Sequence, residues 1–482
     1  MDYNGHPAAF PSLKNYLEVK MAWSFEVLGG GQEIGANSYL LKMNGVSLLL
    51  EAGLHPKKFG KESLPDYDRL GEDLEAIFIS HAHLDHVGSL PLIHQKYPET
   101  PIFATSPTKD IALRMLHNTV TVMNIFREEK GLLEYPFFEH EDLRPLKGGI
   151  IDLEFRAPSH KLPKKRKGGY ERVRLRGNIR AHFLPSGHVL GAAGIVIRQG
   201  KRTIYYTGDI SFQDQALLAG AEIPLENIEV LILECTYAND PFYYSQNRPE
   251  EINKFAQEVS QIINKKGCVL IPAFALGKTQ ELMAIIYSLM RRGRIPSVPL
   301  FLSGLGRSIT EIYQEYRRYL RPHVSMSDFD LFSVLEYSDE LYLKYLLREP
   351  CIIVATNGMM VENTPSARIA RLMVQDERHG IFFCGFIDPD TLGYKLFHAQ
   401  IGDELVFLTD GEPVKIINPN IKRFYLSSHA DRYELLDLAQ KLAPKIVILI
   451  HGEQEGIAFM KEELSPVSQV YAGERGKIIL LD

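Results

Sequence analysis

The residues best suited to chemistry lie between Ile77 and His86, in the run Ile-Phe-Ile-Ser-His-Ala-His-Leu-Asp-His. The apolar start of this run has the make-up of an interior strand. His81, His83, Asp85 and His86 follow on a loop, and Val87-Gly88-Ser89-Leu90 leads into an expected helix. Two histidines one residue apart can put both imidazoles on one side of an extended loop. The adjacent Asp85-His86 pair can turn to the other side. That spacing suits two metal ions held side by side. Imidazole and carboxylate ligands without thiolate favour zinc, with manganese or iron as alternatives. A histidine-rich surface loop is the bland alternative, but it does not explain why these ligand types gather at a strand end.

The pattern recurs along the chain. Phe183-Leu184-Pro185 leads to His188 on a Gly-flanked turn, and the strand Ile204–Tyr206 delivers Asp209 just after a glycine. Asp209 has two oxygens and could bridge two ions. Val230–Leu233 ends on Glu234, Phe424–Leu426 precedes His429, and the apolar run Lys445–Ile450 ends on His451. Each of these residues, met alone, would be an ordinary core or turn residue. Their repetition at strand ends marks one site. Glu51 closes the strand Val46–Leu50 and is either a turn former or a carboxylate that holds a ligand histidine from behind. The glycine-rich stretch Gly29–Gly35 is weak evidence for phosphate binding; its simpler role is a tight turn that lets backbone approach the metal site.

The elements that must carry these residues fit a chain of 482 residues, long enough for two or three domains. The apolar fraction of 45% is that of a globular protein. A formal charge of -6 gives no global attraction for nucleic acid, so a polyanion would need local patches or metal. Cys235, Cys268, Cys351 and Cys384 lie in or beside apolar runs and read as buried free thiols of a reducing compartment. No apolar run reaches membrane-span length and no signal-peptide core is visible, so a soluble, cytoplasmic protein is expected. Residues 1–20 lack periodicity and form an N-terminal extension, with Met21 as an alternative start.

A long helix is expected over Lys109–Glu129. The densest positive charge follows, with Lys161, Lys164, Lys165, Arg166, Lys167, Arg172, Arg174, Arg176 and Arg180 on an expected hairpin. It is either a solvated tip or a phosphate-steering loop. From 250 to 390, helices and strands alternate, with an amphipathic helix over Glu251–Lys265 and strands at Val269–Pro272, Pro299–Leu302 and Ile352–Ala355. Small-residue loops at the strand ends could hold phosphate through backbone N–H groups. Lys278, Arg307 and Arg368 beside them are candidate phosphate contacts, or ordinary helix-start cations.

With these residues assembled, the sequence resembles the metallo-β-lactamase superfamily, and within it the β-CASP nucleases of RNA processing, such as RNase J and the catalytic subunit of the pre-mRNA 3′-end cleavage factor. The resemblance runs from about Ser24 to the end. It rests on His81-Ala-His83-Leu-Asp85-His86 and on Glu234, His429 and His451, which match the three β-CASP motifs. Histidine at the last position resembles the RNA-acting branch; the DNA cross-link repair branch typically has valine. The resemblance implies an α/β fold, an αββα metallo-β-lactamase sandwich over 21–237 and 422–482 interrupted by an α/β β-CASP domain over 238–421. It implies two zinc ions, with manganese possible. His81, His83 and His188 would hold one ion and Asp85, His86 and His451 the other, with Asp209 bridging. A metal-acidified water would attack phosphorus in line, and His429, held by Glu234, would protonate the leaving oxygen. Single-stranded RNA would lie in the cleft between the domains, and a homodimer is compatible.

Two departures stand out. Glu51 occupies a position that is usually aspartate, and its extra methylene could shift a ligand histidine. The run Met-Met-Val-Glu-Asn after Gly358 lacks the paired glycines of many relatives. The lack of any added nucleic-acid-binding or C-terminal domain suggests a compact prokaryotic form. A small-molecule metallo-hydrolase and a non-catalytic RNA-binding paralogue are the competing functions. The inserted domain and His429 argue against the first, and the full ligand set argues against the second.

Overall fold

A computed structural model describes residues 23–155, 171–240, 247–322, 324, 333–335, 340–409 and 411–481. The cations Lys161, Lys164, Lys165, Arg166 and Lys167 and the extension 1–20 lie outside them. The chain starts with β1 (Ser24–Gly29), β2 (Ser38–Met43), β3 (Val46–Leu50), β4 (Ala76–Phe78), β5 (Ile102–Ala104) and β6 (Ile150–Asp152). Next come β7 (Val173–Leu175), β8 (Ile179–Pro185), β9 (Ala193–Gln199), β10 (Arg202–Tyr206) and β11 (Val230–Glu234). The middle of the chain adds β12 (Val269–Pro272), β13 (Leu300–Ser303), β14 (Ser333–Leu335), β15 (Ile352–Ala355) and β16 (Gly380–Phe383). A small ribbon, β17 (Glu404–Leu405) with β18 (Val414–Lys415), precedes β19 (Ile421–Arg423). The chain ends with β20 (Ile446–Ile450), β21 (Gln469–Ala472) and β22 (Ile478–Leu480).

Two seven-stranded sheets form the frame, in the orders β22-β1-β2-β3-β4-β5-β6 and β21-β20-β11-β10-β9-β8-β7. The period-2 alternation of each strand decides what they bury. Phe25, Leu48 and Phe78 of the first sheet meet Phe183, Ile204, Tyr206, Ile232 and Ile448 of the second in one core. The intervening Tyr205, Leu231 and Leu233 turn outward onto the helices Arg432–Leu442 and Gln454–Leu464. The other outer face, Leu49 and Ile77, packs under the helix Ser106–Lys130. The result is an αββα sandwich.

The third layer is inserted between β11 and β20. Its six strands run β14-β13-β15-β12-β16-β19, all parallel, with helices on both faces. Ile353, Ile381 and Phe383 face one set of helices, and Val269, Ile271 and Val354 face the other. β19 pairs with β16, so this sheet continues through Arg423. The strand expected at Phe424–Leu426 is instead irregular chain beyond β19. The helix expected over Lys109–Glu129 runs Ser106–Lys130, capped by the Thr105 hydroxyl accepting from Thr108 N–H. All four cysteines are buried free thiols. Among the described residues no helix is long and apolar enough to cross a membrane.

Candidate active site

The parallel strands β3, β4, β10, β11 and β20 deliver their C-terminal ends to one edge of the sandwich. In such sheets ligand sites form beyond the carboxyl ends of strands. Glu51 follows β3, His81 and His83 follow β4, Asp209 follows β10, Glu234 is the last residue of β11, and His451 follows β20. Asp85 and His86 sit on the one-turn helix Leu84–Val87, and His188 on the turn after β8. Backbone is forced into place here. Glu51 and His451 both adopt left-handed conformations, φ 64° and 50°, a region non-glycine residues enter mainly where surroundings compel it. The glycine turn after β1 explains part of that. Gly30 has φ 75° and a Cβ there would lie 2.1 Å from Asn37 Oδ1. Its carbonyl accepts the His451 N–H at 3.1 Å. The stretch Gly29–Gly35 thus serves backbone approach.

The side chains converge in two groups. Ligand atoms of His81, His83, His188 and Asp209 lie within 4.8 Å of one another, as do those of Asp85, His86 and His451. His83 Nδ1 is 3.0 Å from His81 Nε2 and 3.1 Å from His188 Nε2. Asp209 Oδ2 lies 3.4 Å from His81 Nε2 and 3.6 Å from His188 Nε2. Asp209 Oδ1 faces the other group, 3.4 Å from His86 Nε2 and 3.1 Å from His451 Nδ1. Asp85 Oδ2 is 3.1 Å from His451 Nε2.

These residues fit metal ions. Tetrahedral ligands about 2.0 Å from a zinc ion stand about 3.3 Å apart, close to the separations in the first group. Asp209 Oδ1 is buried without a hydrogen-bond partner, and a cation between the groups would satisfy it. The far side of two of the rings is also held. His188 Nδ1 pairs with the Ser428 carbonyl at 2.8 Å, and His81 Nδ1 with Ser80 Oγ at 3.0 Å. Such contacts fix which nitrogen faces the site.

Electrostatics divides the two groups. Burial lowers the His81, His83 and His188 imidazoles, which keeps them neutral with a lone pair available. Burial also pulls His86 down, but Asp209, Asp85 and Glu51 outweigh it and raise it to about 9. Burial is likewise outweighed at His451, which Asp209 and Asp85 hold well above the ordinary histidine value. The carboxylates of Asp209, Asp85 and Glu51 thus gather around His86 and His451, and a cation bound there would take the place of their protons.

A third pair sits alongside. His429 Nδ1 lies 3.2 Å from Glu234 Oε1, and the His429 ring centroid is 4.4 Å from that of His188. Glu234 is buried and held from two sides: it accepts from Ile210 N–H at 3.0 Å and Thr236 N–H at 2.9 Å. Glu51 accepts from the Tyr206 hydroxyl at 2.9 Å and the Ser80 N–H at 3.2 Å, and its Oε1 is 3.4 Å from His86 Nδ1. The longer side chain thus reaches the back of His86.

The three candidate phosphate cations are not brought together. Lys278 is buried, its ammonium on the Leu426 carbonyl. Arg307 is exposed and paired with Glu311 at 3.3 Å; Arg368 is exposed beside the Asn363 carbonyl at 3.1 Å. Of the basic hairpin, Arg174 lies opposite Arg180 where edge strand β7 meets β8, and Arg176 pairs with Glu75. One site residue escaped the sequence reading. Asn37 is fully buried, with Nδ2 3.2 Å from Asp85 Oδ2 and 3.0 Å from His86 Nε2. Its only signal was its place directly after the glycine turn.

Comparison with known proteins finds three matching domains. A metallo-β-lactamase superfamily domain matches residues 40–233, a β-CASP domain 279–396, and a Zn-dependent metallo-hydrolase RNA specificity domain 416–473. The chain carries metallo-β-lactamase, β-CASP and RNA-specificity domains. Among β-CASP relatives it is 29% identical to cleavage and polyadenylation specificity factor subunit 3 of Dictyostelium discoideum, covering 91% of this chain and 54% of that protein. It is 27% identical to an RNase J-like protein of Methanocaldococcus jannaschii, covering 88% and 91%. A transcription termination factor, FttA, of the same organism is 28% identical over 89% and 66%. The chain thus spans about half of the first relative and nine-tenths of the second. A crystal structure of a protein of unknown function from Enterococcus faecalis shares the fold, with a TM-score of 0.53 at 14% identity, over 95% of this chain and 100% of that one.

Proposed function

We propose that this β-CASP protein is a metal-dependent ribonuclease that hydrolyses RNA phosphodiester bonds, with two zinc ions, or manganese, as its resident metals. The observation that carries this reading is the placement of Asp209 between two ligand groups, with His429 against both Glu234 and His188. His81, His83 and His188 would hold one ion, Asp85, His86 and His451 the other, and Asp209 both. Bound there, the ions would supply an acidified water and offset charge on the phosphoryl oxygens. The chain's own residues do the rest. Glu234 engages His429 Nδ1, so Nε2 is the atom that can carry a proton to the leaving oxygen. As the P–O bond breaks, that oxygen takes the proton and departs as a hydroxyl. The buried, doubly hydrogen-bonded Glu234 keeps the ring oriented. Single-stranded RNA would enter between the sandwich and the inserted layer. The RNA-related names of the relatives support that substrate class.

The test is cleavage of single-stranded RNA labelled at either end, with zinc- and manganese-loaded protein. Metal-dependent products that vanish in Asp209→Ala are expected. Mononucleotides from the 5′ label would mark 5′-exonuclease action and internal fragments endonuclease action. Metal binding with no cleavage of any RNA would overturn the proposal. His429→Ala should keep its metal and lose about 10²–10⁴-fold in turnover.

A further inference from the structure

The segment that bears His429 leaves the inserted sheet after Arg423 and does not enter a helix until Arg432. Its backbone carbonyls therefore lack ladder or helix partners, and buried carbonyls need donors. Three consecutive ones find them in side chains from elsewhere. The Leu426 carbonyl accepts from Lys278 Nζ. The Ser427 carbonyl accepts from the Arg248 guanidinium at 2.9 Å. The Ser428 carbonyl pairs with His188 Nδ1 at 2.8 Å. Just upstream, Glu251 accepts the Tyr425 N–H at 3.0 Å.

Two of these donors are buried cations of the inserted layer. Lys278 opens the helix Lys278–Arg291 and Arg248 opens the helix Arg248–Asn264; each is 8% exposed. Arg248 also pairs with the buried Glu281. Glu281 in turn accepts the N–H groups of Ala216 at 2.7 Å and Leu217 at 3.1 Å. The neighbouring Gln215 donates to the carbonyls of Gly187 at 2.7 Å and His188 at 2.9 Å. One network thus grips the loop of a candidate metal ligand and the loop of the candidate acid. A buried ammonium spent on a single carbonyl is an expensive way to fill a core, which points to a positional role.

We propose that Lys278 and Arg248 are positioning residues for His429: the inserted layer, seated on the sandwich, sets the acid in register with His188. This rests on the reading of His429 as the general acid. Lys278 acts here through backbone and does not reach RNA.

The experiment uses full-length, metal-loaded Lys278→Met and Arg248→Lys, with His429→Ala as reference. Lys278→Met removes the charge but keeps the length of the side chain; Arg248→Lys keeps a donor but cannot span Glu281 and Ser427 together. Each is assayed on an oligoribonucleotide and on one carrying sulfur in place of the leaving oxygen, since a thiolate leaves without a proton. For Lys278→Met, kcat on normal RNA should fall by about tenfold or more, with KM within about twofold, metal content unchanged and the sulfur linkage largely spared, as in His429→Ala. Arg248→Lys should show a smaller loss with the same selectivity. Equal losses on both linkages, while His429→Ala still spares sulfur, would overturn the positioning role. A raised KM with kcat intact would overturn it too and make Lys278 a phosphate contact. If His429→Ala shows no selectivity, the acid reading itself falls and the inference with it.

Discussion

At the scale of single residues, Glu51 shows how one extra methylene is absorbed. Its carboxylate takes the Tyr206 hydroxyl and the Ser80 N–H and lies behind His86. Glu51→Ala would leave both donors buried and unpaired, a cost of about 1–3 kcal/mol each. It would also free the His86 ring, so metal affinity should drop about 10–100-fold, the range for lost outer-shell partners. Competition with a chelator measures this. Glu51→Asp should lose less than Glu51→Ala, because a carboxylate remains; an Asp variant as weak as Ala would show that reach, not charge, is what His86 requires. Glu51 was legible in the sequence as a strand-end carboxylate. Asn37 was not, because an asparagine after a glycine turn carries no chemical signature until Asp85 and His86 fold against it.

At the scale of elements, the helix Arg432–Leu442 anchors the far end of the His429 segment. Asp431 accepts from Tyr433 N–H at 2.8 Å and Glu434 N–H at 2.9 Å, while Glu434 accepts the Asp431 N–H at 3.0 Å. This capping box begins two residues after His429. Asp431→Ala should cost about 1 kcal/mol of stability, visible as a lower denaturant midpoint at unchanged slope. It should also reduce RNA turnover, because the start of the helix fixes where His429 hangs. Turnover unaffected by Asp431→Ala would mean that the carbonyl clamps upstream are sufficient. The ordered run of strands was legible from apolar runs that end in polar residues. The irregular stretch after β19 was not, since Phe424-Tyr425-Leu426 has strand composition and only its partners reveal otherwise.

At the scale of the molecule, one apolar cluster passes through both layers. Ile111 and Met115 of the sandwich's long helix share it with Ile309, Tyr313 and Tyr316 of the inserted layer. Tyr313 is 1% exposed, and its hydroxyl accepts the Leu190 N–H at 3.2 Å, two residues beyond His188. The layers should therefore unfold together, in a single calorimetric transition. Tyr313→Ala, which removes an aromatic side chain from the shared core, should cost about 3–5 kcal/mol and separate that transition into two. A single, merely shifted transition would show that the remaining contacts keep the layers coupled.

The sequence by itself determined the candidates: imidazoles and carboxylates at repeated strand ends, one histidine beyond the two candidate ligand groups, and the family resemblance they carry. Those features are local, because a strand end and its first loop residues are adjacent in the chain. Tertiary structure alone decided how they act together. It placed Asp209 between the two ligand groups, set Glu234 against His429 across 195 positions of sequence, and turned Lys278 from a candidate phosphate contact into a donor for the Leu426 carbonyl. A side chain's partner is fixed by which elements pack, and packing depends on the whole set of buried faces, which no single stretch of sequence contains.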